Sequence, residues 1–147
     1  MKQVKFYLLS QTQSPVPTLS AEENLACELA ASAWRNGKRV LIACDTEQQA
    51  NRLDDALWAR DPDEFVPHNL SGESTTYPTP IEISWIGKRN TQRRDVLISL
   101  QAQLPDFINS FTQIMDFVPV DETQKAQARE RYKQYRQLGW KLETEQV

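Results

Sequence analysis

The sequence feature that most constrains the fold is an apolar run that directly follows the end of a helix. Residues 38–44 read Lys-Arg-Val-Leu-Ile-Ala-Cys, and the last five side chains are all apolar. A strand that is apolar at every position, rather than at alternate positions, is buried on both faces, as in parallel sheets. The run comes straight after Asn36 and Gly37, and glycine suits the left-handed position that ends a helix. We therefore predict a helix joined by a tight turn to a strand buried on both faces.

The flanking residues extend this unit into the order strand, helix, strand, helix. Residues 4–9 are apolar and rich in residues that favour strands. Ser20 and Glu23 form a capping-box pattern at the start of the first helix, and a second helix is predicted over residues 47–60. Right-handed crossovers between such elements give a parallel sheet. The predicted fold is a single α/β domain over residues 1–147, with a mainly parallel sheet flanked by helices.

The second half of the chain has a less regular pattern. The elements predicted there are extended segments at residues 65–70, 81–85, 96–100 and 114–118 and a short helix at residues 105–111. A final helix is expected to begin at Asp121 and to run to about Leu138, where Gly139 ends it. Residues 71–80 and 88–94 are predicted to be loops because they are rich in turn-forming and charged residues, respectively.

The rarer residue types exclude several kinds of site. The four glycines are too far apart to form the phosphate-binding loops of nucleotide enzymes. The single histidine and the two cysteines, which lie far apart in the sequence, do not make up a zinc motif. We therefore predict no bound metal and no cofactor.

The chain offers few groups for catalysis. His68 is either a general base or a surface or hydrogen-bonded loop histidine, and no nucleophile motif accompanies it. Cys27 and Cys44 fit small core residues better than reactive thiols, and Asp45 fits a helix cap better than a magnesium ligand. The sequence shows no apolar run long enough to span a bilayer and no signal-peptide pattern, so the cytoplasm is the expected compartment.

Charge is distributed unevenly along the chain. The formal net charge is -3, whereas residues 125–141 carry +5. Helical spacing places on one face of the final helix Lys125, Arg129, Tyr132, Lys133 and Arg136. That face is either a solvated surface or a binding site for an acidic peptide with an apolar anchor, a terminal carboxylate or a nucleic-acid backbone.

Two aromatic residues form a second candidate surface. Trp58 lies off the buried stripe of its helix, and Phe65 follows a few residues later, after the acidic turn of residues 61–64. Partly exposed aromatic side chains that lie close together are candidate interface anchors. The alternative is that both pack beneath the adjoining loop.

Longer segments of the chain resemble a known family. They are Leu19-Ser20-Ala21-Glu22, residues 36–44, Arg52-Leu53-Asp54, Ala56-Leu57-Trp58-Ala59-Arg60, Phe65-Val66-Pro67-His68-Asn69-Leu70 and Ala128-Arg129-Glu130-Arg131-Tyr132-Lys133. In this order, and over nearly the whole chain, they resemble the chi subunit of bacterial DNA polymerase III. Residues 73–80 and those after Gly139 resemble the family least.

The resemblance implies a noncatalytic accessory subunit of the polymerase holoenzyme, with a mononucleotide-binding-like α/β fold that lacks a phosphate loop. In that family the chi subunit pairs with the psi subunit, which tethers it to the clamp-loader complex. It also binds the acidic C-terminal tail of single-stranded DNA-binding protein and, at the psi surface, a repair helicase. By resemblance, the tail-binding residues are Lys125, Arg129, Tyr132 and Lys133, and the psi-binding residues are Trp58 and Phe65.

Two other hypotheses remain open. The first is a module that binds single-stranded nucleic acid directly through its basic C-terminal helix, together with residues 88–94. The second is a nucleotide-dependent enzyme that uses Asp45.

Overall fold

The computed structural model describes residues 2–60, 66–71, 79–87 and 94–147. Phe65 lies outside these described residues, as do residues 72–78 and 88–93 of the two predicted loops. The elements, in chain order, are β1 (Gln3–Leu8), α1 (Ala21–Arg35), β2 (Val40–Cys44), α2 (Glu47–Trp58), β3 (His68–Leu70), β4 (Ile81–Trp85), β5 (Val96–Ser99), a 3-10 turn (Ile108–Ser110), β6 (Gln113–Val118), α3 (Glu122–Gln137) and β7 (Lys141–Gln146).

The seven strands found among the described residues form one sheet in the order β3-β4-β2-β5-β6-β1-β7. Every neighbouring pair is parallel, so the predicted α/β fold with a mainly parallel sheet is confirmed. All five residues of β2 are buried, which explains why its sequence is apolar at every position. Ile42 of β2 packs in the cluster that α1 and α2 cover, whereas Leu41 packs in the cluster that includes Tyr135 of α3. The first two helices therefore cover one face of the sheet and α3 covers the other.

The last strand, β7, is an element that the sequence does not predict. It pairs in parallel with β1 at one edge of the sheet, and Lys5 Nζ lies 2.8 Å from Glu145 Oε1. Most of its side chains are exposed, so it lacks the apolar periodicity by which strands are recognised. The helix predicted at residues 105–111 is also wrong in extent, because the structure forms one 3-10 turn at Ile108–Ser110.

The helix ends follow the predicted capping chemistry. Ser20 Oγ accepts a hydrogen bond from the Glu23 N–H at 3.3 Å, and Glu23 Oε1 accepts one from the Ser20 N–H at 3.0 Å. Gly37 ends α1 with a φ of +79°, and Gly139 follows α3 with a φ of +87°, values that other residues rarely adopt. Within the described part of the chain, no helix is long and apolar enough to cross a membrane.

Glu23 also ties α1 to α2. Its Oε2 accepts hydrogen bonds from Gln49 Nε2 at 3.0 Å and from Arg52 Nη2 at 2.8 Å. Burial tends to raise the pKa of Glu23, but the bonds from Arg52, the Ser20 N–H and Gln49 hold that pKa below its ordinary value. A carboxylate with a lowered pKa stabilises the fold above the unfolded-state pKa, which is about 4.3 for glutamate. The stabilisation is lost as the pH falls through the folded-state pKa.

We expect Glu23→Gln to lower the free energy of unfolding by about 1 kcal/mol at neutral pH, because glutamine can keep the capping box but not the charge. Urea denaturation measured at several pH values between about 7 and about 3 checks this expectation. The difference between wild type and variant should shrink as the pH falls. A difference that stays constant over this range would contradict a stabilising role for the Glu23 charge.

Candidate functional site

A buried ion pair fixes α3 to the sheet. Asp116 of β6 is fully buried, and its carboxylate accepts hydrogen bonds from Arg131 of α3. Arg131 Nε lies 2.9 Å from Oδ2, and Nη2 lies 3.0 Å from Oδ1. The same guanidinium donates to the carbonyl oxygens of Ala102 at 2.9 Å and Phe117 at 3.1 Å. Arg131 therefore joins α3 to β6 and to the segment that follows β5.

Arg131 is consequently not part of the exposed basic surface. The net charge of residues 125–141 is +5. It falls to +4 when Arg131 is left out, because the buried Asp116 neutralises that charge. The sequence did hold a signal for this, since Arg131 falls at helical spacing between Ala128 and Tyr135, which are both buried. Asp116 is likewise the one acid in a largely apolar strand. A charged residue at such a position needs a buried partner of opposite sign.

A groove of about 410 Å³ lies between α3 and the sheet edge formed by β1 and β7; we call it the α3 groove. It is lined by Phe6, Leu8, Leu9, Val118, Lys125, Ala128, Arg129, Tyr132 and Thr144. The ring centroid of Tyr132 lies 5.4 Å from that of Phe6, with the two planes at 56°. Tyr132 remains 36% exposed. Its ring therefore packs partly on the core and partly borders the groove.

Three of the four predicted tail-binding residues line the α3 groove, namely Lys125, Arg129 and Tyr132. The fourth, Lys133, is not among the lining residues. It lies about 160° round the helix from the buried Arg131, on the side that faces solvent. Its side chain is 68% exposed, and its Nζ lies 3.7 Å from Glu130 Oε1.

The cations of the α3 groove are weakly compensated. Lys125 Nζ lies 3.9 Å from Glu122 Oε1, and this glutamate is almost fully exposed. Among the residues that the structure describes, Arg129 has no carboxylate within ion-pair distance. Exposed ion pairs of this kind contribute little, so the groove keeps its positive charge beside an apolar lining. It fits an anionic group that is joined to an apolar side chain.

The second predicted site centres on Trp58, the last residue of α2; we call it the Trp58 surface. The side chain is 60% exposed, and its ring centroid lies 5.3 Å from that of His68 in β3. Trp58 is therefore largely exposed rather than buried in the core; the alternative that it packs beneath the adjoining loop concerns residues outside the described part of the chain. Its predicted companion Phe65 lies outside the described residues. A tryptophan with this exposure, supported by a buried ring, is typical of an interface anchor.

His68 and the two cysteines, which were considered for catalysis, are all buried within the fold. The side chain of His68 is fully buried and hydrogen-bonded. Cys27 and Cys44 are buried free thiols, and burial raises the pKa of Cys27 to about 12. A thiol with so high a pKa is unreactive at neutral pH. Both cysteines pack in the hydrophobic cluster beneath α1 and α2, which confirms that they are core residues.

The carboxyl ends of the strands, where α/β sheets commonly bind nucleotides, border a polar cleft of about 90 Å³. Asp45 Oδ1 accepts a hydrogen bond from the Ala102 N–H at 3.0 Å, while the cap of α2 is the side chain of Thr46. The first turn of α1 brings Glu22 to the same cleft. A carboxylate at a helix N-terminus repels a second anion bound there. Asp45 and Glu22 therefore disfavour the binding of a phosphate in the cleft.

Arg94 ends the predicted basic loop of residues 88–94, yet it is buried. It donates to Glu82 Oε1 at 3.1 Å and to the carbonyl oxygen of Thr79. Its charge therefore ties the segment before β5 to β4, two places away in the sheet, rather than adding to a basic surface. The rest of this loop lies outside the described residues.

The described part of the chain is thus a parallel α/β sheet domain with a cationic groove at one edge and an exposed tryptophan towards the other. The chain belongs to the family described as DNA polymerase III chi subunit, HolC, whose model matches residues 1–143. The family resemblance stated from the sequence is thereby confirmed.

Individual relatives of the chain bear the name of the same family. The chain is 63% identical to DNA polymerase III subunit chi of Haemophilus influenzae, over 99% of this chain and 98% of the relative. It is 54% identical to the Escherichia coli K12 subunit of the same name, over 98% and 97% of the two chains. The crystal structure of T4 UvsW is similar in fold alone, with a TM-score of 0.68 and 10% identity, and the match covers 99% of this chain but 41% of that one.

Proposed function

We propose that this protein is a noncatalytic adaptor of the DNA polymerase III clamp-loader complex. The psi subunit binds at the Trp58 surface, and the acidic C-terminal tail of single-stranded DNA-binding protein binds in the α3 groove. The observation that carries the proposal is the groove itself, in which an apolar lining meets weakly compensated cations. Membership of the chi-subunit family supports it, and the cytoplasm is the compartment in which the adaptor works.

The α3 groove offers both halves of the chemistry that such a tail requires. Arg129 and Lys125 supply charge-assisted donors for the acidic side chains or the terminal carboxylate. Phe6 and Val118 provide apolar area for the end of the tail, and the Tyr132 ring forms an adjoining wall. Lys133 lies just outside the groove and contributes long-range attraction for acidic residues further from the tail's end.

The two surfaces are placed so that both partners can be held at once. The α3 groove lies beside β1 and β7 on one face of the sheet, whereas Trp58 belongs to α2 on the opposite face, next to β3. Strands β3 and β1 are five places apart in the sheet, which corresponds to about 24 Å. A psi subunit on one surface therefore leaves the other open to the tail.

We expect Arg129→Ala to weaken binding of a synthetic tail peptide about tenfold to hundredfold at low salt, because it removes a charge-assisted contact. Fluorescence anisotropy with a labelled peptide measures the affinity. Wild-type affinity should fall as salt is added. Lys133→Ala should have a smaller effect, since its ammonium does not line the groove.

Arg35→Ala is the matched control for this experiment. Arg35 is exposed at the end of α1, on the face opposite the α3 groove, and its loss changes the net charge by the same amount. The affinity of the Arg35→Ala variant for the peptide should lie within about twofold of the wild-type affinity, since distant exposed charges are screened. Equal affinities of the Arg129 and Arg35 variants would contradict the assigned tail site.

Single-stranded DNA without its binding protein tests the alternative of direct nucleic-acid binding. The adaptor proposal expects the pure protein to capture an oligonucleotide only when single-stranded DNA-binding protein with an intact tail is present. Capture of the bare oligonucleotide with a steep salt dependence, abolished by Arg129→Ala, would favour the direct module instead.

A further inference from the structure

His68 is a buried histidine to which the proposed function gives no role. Its Nδ1–H donates a hydrogen bond to the carbonyl oxygen of Val66 at 2.6 Å, and its Nε2 lies 3.1 Å from Oδ1 of Asp54. Asp54 stands four residues before Trp58 on α2, so two successive turns of the same helix contact the imidazole. The Nδ1 hydrogen bond therefore fixes the orientation of the ring, and the Asp54 carboxylate lies beside its other nitrogen.

The indole of Trp58 packs against this fixed ring. The two centroids lie 5.3 Å apart and the planes are inclined at 62°, which is the edge-to-face arrangement that aromatic rings prefer. An exposed side chain at a helix end otherwise samples several rotamers, and restricting them on binding lowers the affinity. A ring fixed beneath the indole reduces that loss, because it restricts the indole before the partner arrives.

We propose that His68 is a positioning residue, which holds the Trp58 indole in the orientation that the psi subunit binds. This inference rests on the proposed function of the Trp58 surface. It assigns to His68 a role in partner affinity, although its fully buried side chain presents no surface to a partner.

A double-mutant cycle with purified psi subunit tests the inference. His68→Ala is expected to weaken psi binding about threefold to tenfold. In a Trp58→Ala background it should add no further loss, because the indole that it positions is gone. Binding of the tail peptide in the α3 groove is measured on every variant and should stay unchanged, which reports that the fold is intact.

Two further variants separate ring contact from hydrogen bonding. His68→Asn can still donate to the Val66 carbonyl oxygen, because its amide nitrogen occupies about the position of Nδ1. It has no ring, so it should lose as much psi affinity as His68→Ala. His68→Phe keeps a ring under the indole and should retain most of the affinity. If His68→Ala also loses peptide binding, the cycle built with His68→Asn decides the question.

The possible failures are distinguishable from one another. Additive losses in the cycle, or wild-type psi affinity in His68→Asn, would overturn the positioning role and leave the Trp58 surface in place. Unchanged psi affinity in Trp58→Ala would instead overturn the proposed psi site, and the positioning role with it.

Discussion

Asp116→Ala is expected to lower the free energy of unfolding by about 3–5 kcal/mol, because it leaves the guanidinium of Arg131 buried without a counter-charge. The carboxylate of Asp116 is fully buried and binds both Nε and Nη2 of that guanidinium. Chemical denaturation at neutral pH measures the loss. Because the pair fixes α3, the variant should also bind the tail peptide more weakly under conditions in which part of the protein is unfolded.

Lys133→Ala is the control for that experiment. It breaks the exposed pair between Lys133 and Glu130 on the same helix and should cost less than about 0.5 kcal/mol. The double replacement Asp116→Leu with Arg131→Met should recover most of the stability lost in Asp116→Ala, since a pair of apolar side chains leaves no unpaired charge. Equal losses from Asp116→Ala and Lys133→Ala would show that the buried pair does not fix α3.

Trp58→Ala is expected to weaken psi binding by about 2–4 kcal/mol, or about thirtyfold to a thousandfold, because a central tryptophan commonly supplies much of an interface's energy. The stability of the isolated protein should change little, since 60% of the side chain is already exposed. Isothermal titration calorimetry with purified psi subunit measures the affinity. Tail-peptide binding in the α3 groove, on the other face of the sheet, should be unaffected.

Leu138→Ala is a matched control, because Leu138 is 58% exposed and follows α3 on the opposite face of the sheet. It removes an exposed apolar side chain of similar accessibility without touching the Trp58 surface. Its psi affinity should equal that of the wild type. A loss of psi and peptide binding together in Trp58→Ala would indicate unfolding, and an unchanged psi affinity would contradict the assigned site.

Local chemistry made several parts of the candidate site predictable. Helical spacing placed Lys125, Arg129 and Tyr132 on one face of α3, and the structure brings all three to the groove. The same spacing grouped Lys133 with them, although it points further towards solvent. Spacing along one helix does not reveal where the neighbouring strand lies, and that position decides which part of a polar face borders a cavity.

Other parts of the site depend on partners that are distant in the sequence. The groove includes Thr144, from a polar edge strand without apolar alternation, and Phe6, from the opposite end of the chain. The support of Trp58 likewise depends on a contact between α2 and His68 of β3, which a separate segment of the chain supplies. Neither contact follows from composition or periodicity.

The sequence by itself determined the α/β class, the helix caps and the double burial of β2, because these follow from interactions within a few residues and from the apolar pattern of each segment. The sequence also contained the segments by which the chain resembles the chi-subunit family. Only the tertiary structure decided the strand order, the addition of β7 at the edge, and the division of the basic residues of α3 into a buried anchor, Arg131, and an exposed groove lining. Identical guanidinium groups differ in their surroundings here because one meets a buried carboxylate on β6 and another faces solvent, and that distinction exists only after the chain has folded.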